Sequence, residues 1–373
     1  MNGDNWIRYC EILRKRAVKK EKDTKFLLAN FSSTEQQKDI EKRTPVINDF
    51  FRVKINIKGW NEKEMRKIGM HAADFSSNDA VFQATREEFD IPLWAFFNSP
   101  NHPLQDYNNS FIYQLKACNL YCPWCYVDDV NKNGMRDNNS RFFSISEIMG
   151  IFEEERKKQP LHLFRPSGGE PTLAVEQWLN CLRELRKRGL EDEVYIQGDT
   201  NLTTGHFVQY LEKKSQIEKN LLEKIGEFSN FGLLCSFKGT DTKSFLEASG
   251  MNERNSFLEE ERWYSLSKLI RAGIEAYPFV YNPSPASLEK FMEKGAKKFG
   301  EGFYLKTWIT KLKLYGPGKE RLKRMLGKDP VTYQEELDED FTKSKEIMQN
   351  LIQKKYGLNY KAIPRTGIKL KVK

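Results

Sequence analysis

Residues 111–125 read FIYQLKACNLYCPWC, an apolar run that leads directly into three cysteines, Cys118, Cys122 and Cys125. The run Phe111–Leu115 is short and rich in aromatic and branched side chains, which is typical of a buried strand. Runs of the same kind predict further strands at Leu161–Phe164, Val194–Ile196, Phe231–Phe237, Ile274–Val280 and Phe303–Ile309. Because amphipathic segments separate these runs, the sequence predicts a parallel sheet with helical crossover connections.

The predicted helices carry their own start and stop signals. Ser144 and Glu147 have the spacing of a capping box, in which a hydroxyl and a carboxylate satisfy free amides of the first turn. Thr172 is the expected cap of the following helix. Gly189 is its expected end, because glycine adopts the left-handed cap without strain. Further along, Tyr315–Gly318 predicts a turn.

Polar clusters follow four of the predicted strands. The cysteine loop, Cys118–Cys125, follows the first strand, and Ser167–Glu170 follows the second. Gly198–Asn201 follows the third strand, and Cys235–Lys238 ends the fourth. Ligands of parallel α/β folds bind at the carboxyl ends of the strands, which lie at one edge of the sheet. We therefore expect these four clusters to contribute to one site.

Composition favours a protein of the cytoplasm with no membrane partner. The mean hydropathy is −0.68 and 30% of the residues are charged. The apolar run Ile91–Phe97 is interrupted by Pro92 and is too short to span a bilayer. The N-terminus lacks the apolar core of a secretion signal. A disulfide framework is not expected in such a compartment, so the scattered Cys10, Cys181 and Cys235 are interpreted as small buried apolar residues.

The net charge of +9 is concentrated at one end of the chain. Residues 311–373 contain 16 Lys and Arg against 8 Asp and Glu, an excess of 8 positive charges. A basic segment of this kind attracts an acidic partner, which would be RNA, DNA or an acidic protein face. A solvated surface with additional lysines fits the same pattern.

The three cysteines of the loop indicate a metal or cluster site. Thiolates suit zinc and iron–sulfur clusters above other metals. A closed structural zinc site takes four ligands, and none of the four histidines has ligand spacing with another. His162 would have to join from a distance. A four-iron cluster normally takes four cysteines, so three leave one iron open to an exogenous ligand. Zinc and a structural cluster remain alternatives.

The pattern CxxxCxxC, with Trp124 before the last cysteine, resembles the signature of radical S-adenosylmethionine enzymes, and the resemblance extends over roughly residues 108–310. It implies a 4Fe–4S cluster held by Cys118, Cys122 and Cys125. The open iron would chelate the amino and carboxylate groups of S-adenosylmethionine. Reductive cleavage would give a 5′-deoxyadenosyl radical, which abstracts hydrogen from a substrate. An electron donor of flavodoxin or ferredoxin type is implied as a partner.

The resemblance also assigns cofactor-binding residues after the second and third strands. Gly168, Gly169 and Glu170 look like the family's glycine–glycine–glutamate motif, which contacts the methionine ammonium group. Asp199 and Asn201 match a segment that binds ribose hydroxyls. The family form has glycine after the asparagine, whereas this chain has Leu202. An Asx-type turn is the alternative interpretation of that segment.

Three further residues complete the cofactor site that the resemblance implies. Ser236 and Lys238 occupy the place where relatives carry an acidic residue and a lysine; the hydroxyl would bind ribose and the ammonium the methionine carboxylate. A solvated lysine at a strand end is the alternative. Trp124 would pack on adenine or shield the cluster from water.

We expect an α/β fold built as a partial (βα)6 TIM-like barrel over residues 108–310. Residues 1–107 are expected to form an N-terminal extension and residues 311–373 a basic C-terminal extension; either one serves as a lid, as a partner-docking element or simply as packing. Without a second group of cysteines, the chain is most similar to the organic-radical-activating enzymes, with a protein or nucleic acid reached through the basic extension as substrate. Alternatives are a small-metabolite enzyme and a non-catalytic, metal-stabilised binding protein. Core packing is expected for Tyr126, Tyr277 and Tyr304.

Overall fold

The computed structural model describes residues 3–41, 44–55, 109–137, 140–159, 161–360, 363 and 368–373. The run Ile91–Phe97 and much of the predicted N-terminal extension lie outside the described residues. No helix among the described residues combines the length and the apolar composition needed to cross a bilayer.

The strands in chain order are β1 Val18–Lys20, β2 Thr24–Leu28, β3 Val46–Ile47, β4 Phe51–Ile55, β5 Asn109–Gln114, β6 Arg141–Ser144, β7 Leu163–Ser167, β8 Tyr195–Thr200, β9 Phe231–Lys238, β10 Glu275–Tyr281 and β11 Trp308–Thr310. The helices are α1 Gly3–Ala17, α2 Glu35–Ile40, α3 Ile145–Arg156, α4 Glu176–Lys187, α5 Gly205–Lys213, α6 Leu221–Gly226, α7 Thr242–Ser249, α8 Leu258–Arg271, α9 Leu288–Phe299, α10 Gly302–Lys306, α11 Gly316–Leu326 and α12 Pro330–Tyr356. Short 3-10 turns cover Asp129–Asn131, Pro171–Ala174 and Glu253–Asn255.

Within the described residues, the main sheet contains eight strands in the order β11-β10-β9-β8-β7-β5-β4-β3. The strands β5, β7, β8, β9, β10 and β11 are parallel and adjacent in chain order, with helices in the connections. The predicted α/β architecture of a partial (βα)6 barrel is therefore confirmed. At its edge, β4 pairs antiparallel with β5, with Arg52 opposite Ile112, and β3 pairs with β4. A second sheet has the order β1-β2-β6.

Several local predictions need correction. The sixth strand, predicted at Phe303–Ile309, is only Trp308–Thr310, because Gly302–Lys306 forms a helix. The turn at Tyr315–Gly318 is the start of α11, with proline in its first turn. Thr172 does not cap the following helix: Glu170 caps the 3-10 turn Pro171–Ala174, and α4 begins only at Glu176.

Other local signals agree with the structure. Ser144 caps α3, accepting from the Glu147 amide at 3.2 Å, while the Glu147 carboxylate accepts from the Ser144 amide at 2.7 Å. Such a cap contributes about 1 kcal/mol. Gly189 follows α4 with φ +70°. Thus the local chemistry that fixes helix starts and stops was readable where its partners lie within a few residues.

Large aromatic side chains fill the space between sheet and helices. Trp263 on α8 is almost fully buried, and its ring lies 5.0 Å from those of Phe237 and Phe291 and 5.8 Å from that of Phe303. Burying a side chain of this size contributes about 1.5–3 kcal/mol. This packing fixes the outer layer of helices and leaves the opposite face of the sheet for the site.

Both flanking segments pack on the barrel. On α1, Trp6 donates through Nε1 to the Thr203 carbonyl at 2.8 Å, and Arg14 donates to both carboxylate oxygens of Glu176 at 2.8 and 2.5 Å. On α12, Ser344 donates to the Pro283 carbonyl at 2.8 Å. Much of the basic C-terminal extension is therefore folded structure rather than a free tail.

Candidate functional site

A cavity of about 270 Å³ opens at the carboxyl ends of the parallel strands. Every side chain predicted to hold the cluster or the cofactor lies on its wall: Cys118, Trp124, Cys122, Cys125, Gly168, Gly169, Glu170, Asp199, Asn201, Ser236 and Lys238. The four polar clusters that follow the strands therefore meet, as the strand order requires.

The cysteine loop is held by backbone hydrogen bonds from several sides. The Cys118 amide donates to the Lys132 carbonyl at 2.8 Å, and the Tyr121 amide to the Ser249 carbonyl at 3.0 Å. Within the loop, the Cys125 amide donates to the Cys122 carbonyl at 3.1 Å. All three cysteines of the loop line the cavity.

Burial and the neighbouring thiols affect the acidity of the cysteines. Burial raises the pKa of Cys118 to about 12, and the charges of Cys122 and Cys125 add to the effect. Burial also raises the pKa of Cys122, although the positive charge of Lys238 opposes it. The loop therefore favours neutral thiols when no cation is present, and a metal must displace their protons on binding.

Among the described residues, no group of three or more His, Cys, Asp or Glu side chains converges on a point that would suit a single metal ion. A four-iron cluster has a different requirement, since its cysteines bind separate irons. The donor set of three cavity-lining thiols is chemically suited to such a cluster. His162, considered as a distant fourth ligand, is not on the cavity wall, and its Nδ1 lies 2.9 Å from the Glu193 carbonyl oxygen.

Arg321 on α11 packs against the cysteine loop, a contact that no sequence pattern predicted. The side chain is 3% exposed. It donates to the carbonyls of Cys122 at 3.3 Å, Cys125 at 2.7 Å and Val127 at 2.8 Å, and to the carboxylate of Asp129 at 2.9 Å. No signal distinguishes it from the other basic residues of the extension, because all four partners lie nearly two hundred residues away.

Gly168 and Gly169 join the second strand end to the cysteine loop. Both have positive φ, +67° and +53°. A Cβ on Gly168 would lie 2.2 Å from the Gln114 side chain, and one on Gly169 would lie 2.0 Å from the Ala117 carbonyl oxygen. The Glu170 amide then donates to that carbonyl at 2.7 Å. The glycines are required here by contacts within the chain itself.

The Glu170 carboxylate is fully buried and links the second strand end to the third. It accepts from the Thr172 amide at 3.2 Å, the Thr200 hydroxyl at 2.9 Å and the Asn201 amide at 2.6 Å, and also from the Thr172 hydroxyl. Burial raises the pKa of Glu170, and these hydrogen bonds oppose the increase. Much of its capacity to accept hydrogen bonds is used inside the protein.

Asp199 and Asn201 differ in how their side chains are used. Asp199 accepts from the Ser167 hydroxyl, from Arg165 at 3.4 Å and from Gln197 at 3.1 Å. Asn201 accepts from the Thr203 amide at 3.0 Å, which makes the Asx-type turn considered as an alternative. Its amide group donates to Asn119 in the cysteine loop at 2.8 Å.

Leu202 stands where the resemblance expects glycine, and its backbone adopts φ +65°. The left-handed conformation costs a non-glycine residue roughly 1–2 kcal/mol. The side chain is fully buried, and the Leu202 amide donates to the Thr200 hydroxyl at 3.0 Å. Leucine therefore follows the backbone course that glycine would allow, and its burial offsets the strain.

Lys238 lies at the end of β9 against two aromatic rings. Its Nζ donates to the Ser236 hydroxyl at 2.6 Å and lies 4.6 Å from the ring centre of Trp124 and 4.7 Å from that of Tyr281. The two rings are 5.6 Å apart. A cation held this way is not a solvated strand-end lysine, because cation–π contacts and the hydroxyl fix its position.

Tyr126 corrects an expectation, whereas Tyr277 and Tyr304 are buried as expected. Tyr126 lines the cavity, and its hydroxyl accepts from the Gln114 side chain at 3.3 Å. The cavity wall also includes Arg52, Lys54 and Arg165, on β4 and β7. The sequence pattern missed them because they lie inside strands rather than after them.

The remaining cysteines are buried apart from the cavity wall, as expected. Cys10 lies 3.7 Å from the Asn119 amide nitrogen, Cys181 lies 3.6 Å from the Tyr113 hydroxyl, and Cys235 is fully buried in β9. None of the six cysteines forms a disulfide.

Comparisons with known proteins identify no family for the chain. No protein-family model matches it, and no curated protein matches it. Among solved structures, it is similar to SuiB of Streptococcus suis, crystallised with the precursor peptide SuiA. The identity is 15% and the TM-score 0.41, over 64% of this chain and 44% of SuiB. This chain therefore spans less than half the length of SuiB, and a likeness of this size does not establish a shared family.

Proposed function

We propose that this chain is a radical S-adenosylmethionine enzyme in which Cys118, Cys122 and Cys125 hold a 4Fe–4S cluster. The observation that carries the proposal is the meeting of three thiols with the polar ends of the second, third and fourth parallel strands on one cavity. The residues fit the group in number and type, since three thiolates leave one iron open to the cofactor. When bound, the cluster supplies the electron that cleaves S-adenosylmethionine.

The residues of the chain would bind and orient the cofactor. Lys238, fixed by Ser236 and two aromatic rings, would neutralise the methionine carboxylate. Asp199 and Ser236 line the same cavity and would accept or donate hydrogen bonds to ribose. Trp124 is 8% exposed and would present its ring to adenine while excluding water from the thiolates.

Glu170 and Asn201 would act mainly as positioning residues. Their side chains are bonded to Thr172, Thr200, Thr203 and Asn119, so they hold the second and third strand ends against the cysteine loop. The backbone carbonyls of Gly168 and Gly169 would be the acceptors for the methionine ammonium, as in the family motif.

Anaerobic reconstitution with iron and sulfide tests the proposal directly. We expect a four-iron absorption spectrum and, with dithionite and S-adenosylmethionine, formation of 5′-deoxyadenosine. Cys122→Ala should abolish both. Cys181→Ala removes a buried thiol that is not on the cavity wall and should retain both. A single bound zinc per chain without deoxyadenosine, or full activity of Cys122→Ala, would refute the assignment.

The partner that reduces the cluster is proposed to be of flavodoxin or ferredoxin type. Support comes from α11, a basic helix that packs directly on the cysteine loop and would offer positive charge to an acidic donor. A protein or nucleic-acid substrate would meet the exposed basic side chains of α11 and α12 rather than a free tail, because both helices are packed on the barrel. A small substrate is the second candidate, and the cavity volume of about 270 Å³ favours it.

A further inference from the structure

The inward face of the sheet carries three cations on the side away from Lys238. In the register of the strands, Arg52 on β4 lies opposite Ile112 on β5, which in turn lies opposite Arg165 on β7. Lys54 is two residues beyond Arg52 and therefore faces the same way. All four side chains line the cavity. We call Arg52, Lys54 and Arg165 the cation row.

Arg52 is buried, and hydrogen bonds within the chain do not satisfy all of its N–H groups. It is 2% exposed, and its Nε and Nη2 have no hydrogen-bond partner among the described residues. Its guanidinium lies over the Phe31 ring at 3.5 Å. Burial lowers its pKa to about 9, so the group is still charged at neutral pH. A buried charged donor left unsatisfied is costly, which indicates a ligand for its free N–H groups.

Among the described residues, the two carboxylates of the cavity wall already accept hydrogen bonds from groups other than Arg52. Glu170 is bonded to its own neighbours, and Asp199 is bonded to Ser167, Gln197 and Arg165. Of the further lysines on the wall, Lys132 is paired with Asp129 at 3.1 Å and Lys311 with Asp338 at 2.9 Å. An anion that enters the cavity beside Arg52 would meet its unsatisfied guanidinium in a partly desolvated setting, where charge-assisted hydrogen bonds are strongest.

Two neutral side chains, those of Gln114 and Tyr126, line the same cavity. Gln114 donates to the Tyr126 hydroxyl at 3.3 Å, while its own Oε1 is buried without a partner among the described residues. Because the Tyr126 hydroxyl accepts that bond, its own O–H can donate to a group in the cavity. The cavity wall thus offers a neutral donor besides the cations.

We propose that Arg52, with Lys54 and Arg165, binds a carboxylate or phosphate group of the substrate. That the anion belongs to a substrate rests on the proposed function, whereas the existence of the anion site does not. The cofactor carboxylate is assigned to Lys238 on β9, four strand steps from β4, or roughly 19 Å along the sheet. The methionine carboxylate and the substrate anion would then occupy opposite sides of the cavity that the cysteine loop also lines.

Calorimetric titration of the purified protein with inorganic phosphate and with succinate, at constant ionic strength, tests the site. We expect one anion to bind per chain. Tighter binding of phosphate than of succinate would identify a phosphate site, and the reverse would identify a carboxylate site. Arg52→Gln should weaken binding by about tenfold or more, since a bidentate charged contact is lost. Arg183→Gln removes an exposed arginine, paired with Glu218 and not on the cavity wall, and should bind like the wild type.

Equal binding by Arg52→Gln and wild type would overturn the site, as would failure of the wild type to bind either anion. If Arg52→Gln does not fold, Arg52→Lys keeps the charge but loses the planar fork and should weaken phosphate binding severalfold. Failure of the proposed function looks different. Wild type that binds the anion but forms no deoxyadenosine would refute the radical chemistry alone, and wild type that forms deoxyadenosine but binds neither anion would refute the anion site alone.

Discussion

Replacing Arg321 by methionine should destabilise the protein and impair the cysteine loop together. The arginine is buried and donates four hydrogen bonds, three to backbone carbonyls around the loop and one to Asp129. Methionine replaces the apolar stem of the arginine but donates no hydrogen bond. The carbonyls of Cys122, Cys125 and Val127 then lose a donor that water cannot replace without opening the contact.

The expected loss follows from those contacts. Leaving a buried acceptor without its donor typically costs about 1–3 kcal/mol. Asp129 retains Arg324 at 2.5 Å and Lys132 at 3.1 Å, so its carboxylate is not left unpaired. Most of the cost therefore comes from the three carbonyls, and we expect a decrease of about 3 kcal/mol in the free energy of unfolding.

Urea unfolding and iron binding give two independent measurements. Arg324→Met is the matched control, because Arg324 lies on the same helix and contacts the same carboxylate but its side chain is 68% exposed. We expect it to cost under about 1 kcal/mol. After anaerobic reconstitution, Arg321→Met should also retain less iron than the control, whereas Arg321→Lys should recover only part of the loss, since one ammonium cannot reach all four acceptors.

Equal unfolding free energies for Arg321→Met and Arg324→Met would show that the contacts of Arg321 contribute no stability. Equal iron content in both would show that α11 does not support the loop. Either result would remove the reason for regarding the C-terminal extension as part of the site.

Two further predictions concern the same region. Gly169→Ala places a Cβ 2.0 Å from the Ala117 carbonyl oxygen at a residue with positive φ, so it should prevent stable folding or iron binding. The control is Gly189→Ala, at φ +70° with no atom within 4 Å of the added Cβ, which should lower the free energy of unfolding in urea by only about 1 kcal/mol. Similar losses in the two variants would contradict the close contact at Gly169. Burial alone would raise the pKa of Asp129, but the hydrogen bond from Arg324 and nearby positive charges outweigh it and hold the pKa at about 2. The ionised carboxylate of Asp129 therefore stabilises the fold fully above about pH 4, and this stabilisation is lost as the pH falls towards 2. Between pH 5 and pH 2.5 the free energy of unfolding of the wild type should fall by about 1 kcal/mol more than that of Asp129→Asn, after allowance for the partial exposure of the carboxylate. Parallel curves of unfolding free energy against pH would contradict this.

The sequence predicted the barrel and the cavity position well because both depend on short-range pattern. An apolar run followed by polar residues marks a strand and its carboxyl end, and strand order then brings those ends together. The sixth strand was partly wrong because Phe303–Lys306 is as apolar as a strand, and a short buried helix has the same composition. Periodicity cannot separate the two over five residues.

The side chains that were missed depend on distant pairing. Arg52 faces the cavity because β4 joins the edge of the sheet antiparallel to β5, and no local feature of the sequence states that pairing. Tyr126 was expected in the core because aromatic residues usually are, yet it follows the last cysteine directly and lines the cavity with it. The motif around Glu170 likewise did not predict its hydrogen bonds to Thr200 and Asn201.

The distance in sequence between Arg321 and the loop it holds affects the order of events during synthesis. Arg321 follows Cys125 by 196 residues. At a translation rate of about 5–20 residues per second, the cysteine loop waits roughly 10–40 s for its last support to be made. During that interval the loop lacks the hydrogen bonds that Arg321 donates to its carbonyls. If the loop holds the proposed cluster, the supported form of the site exists only after residue 321 has been synthesised.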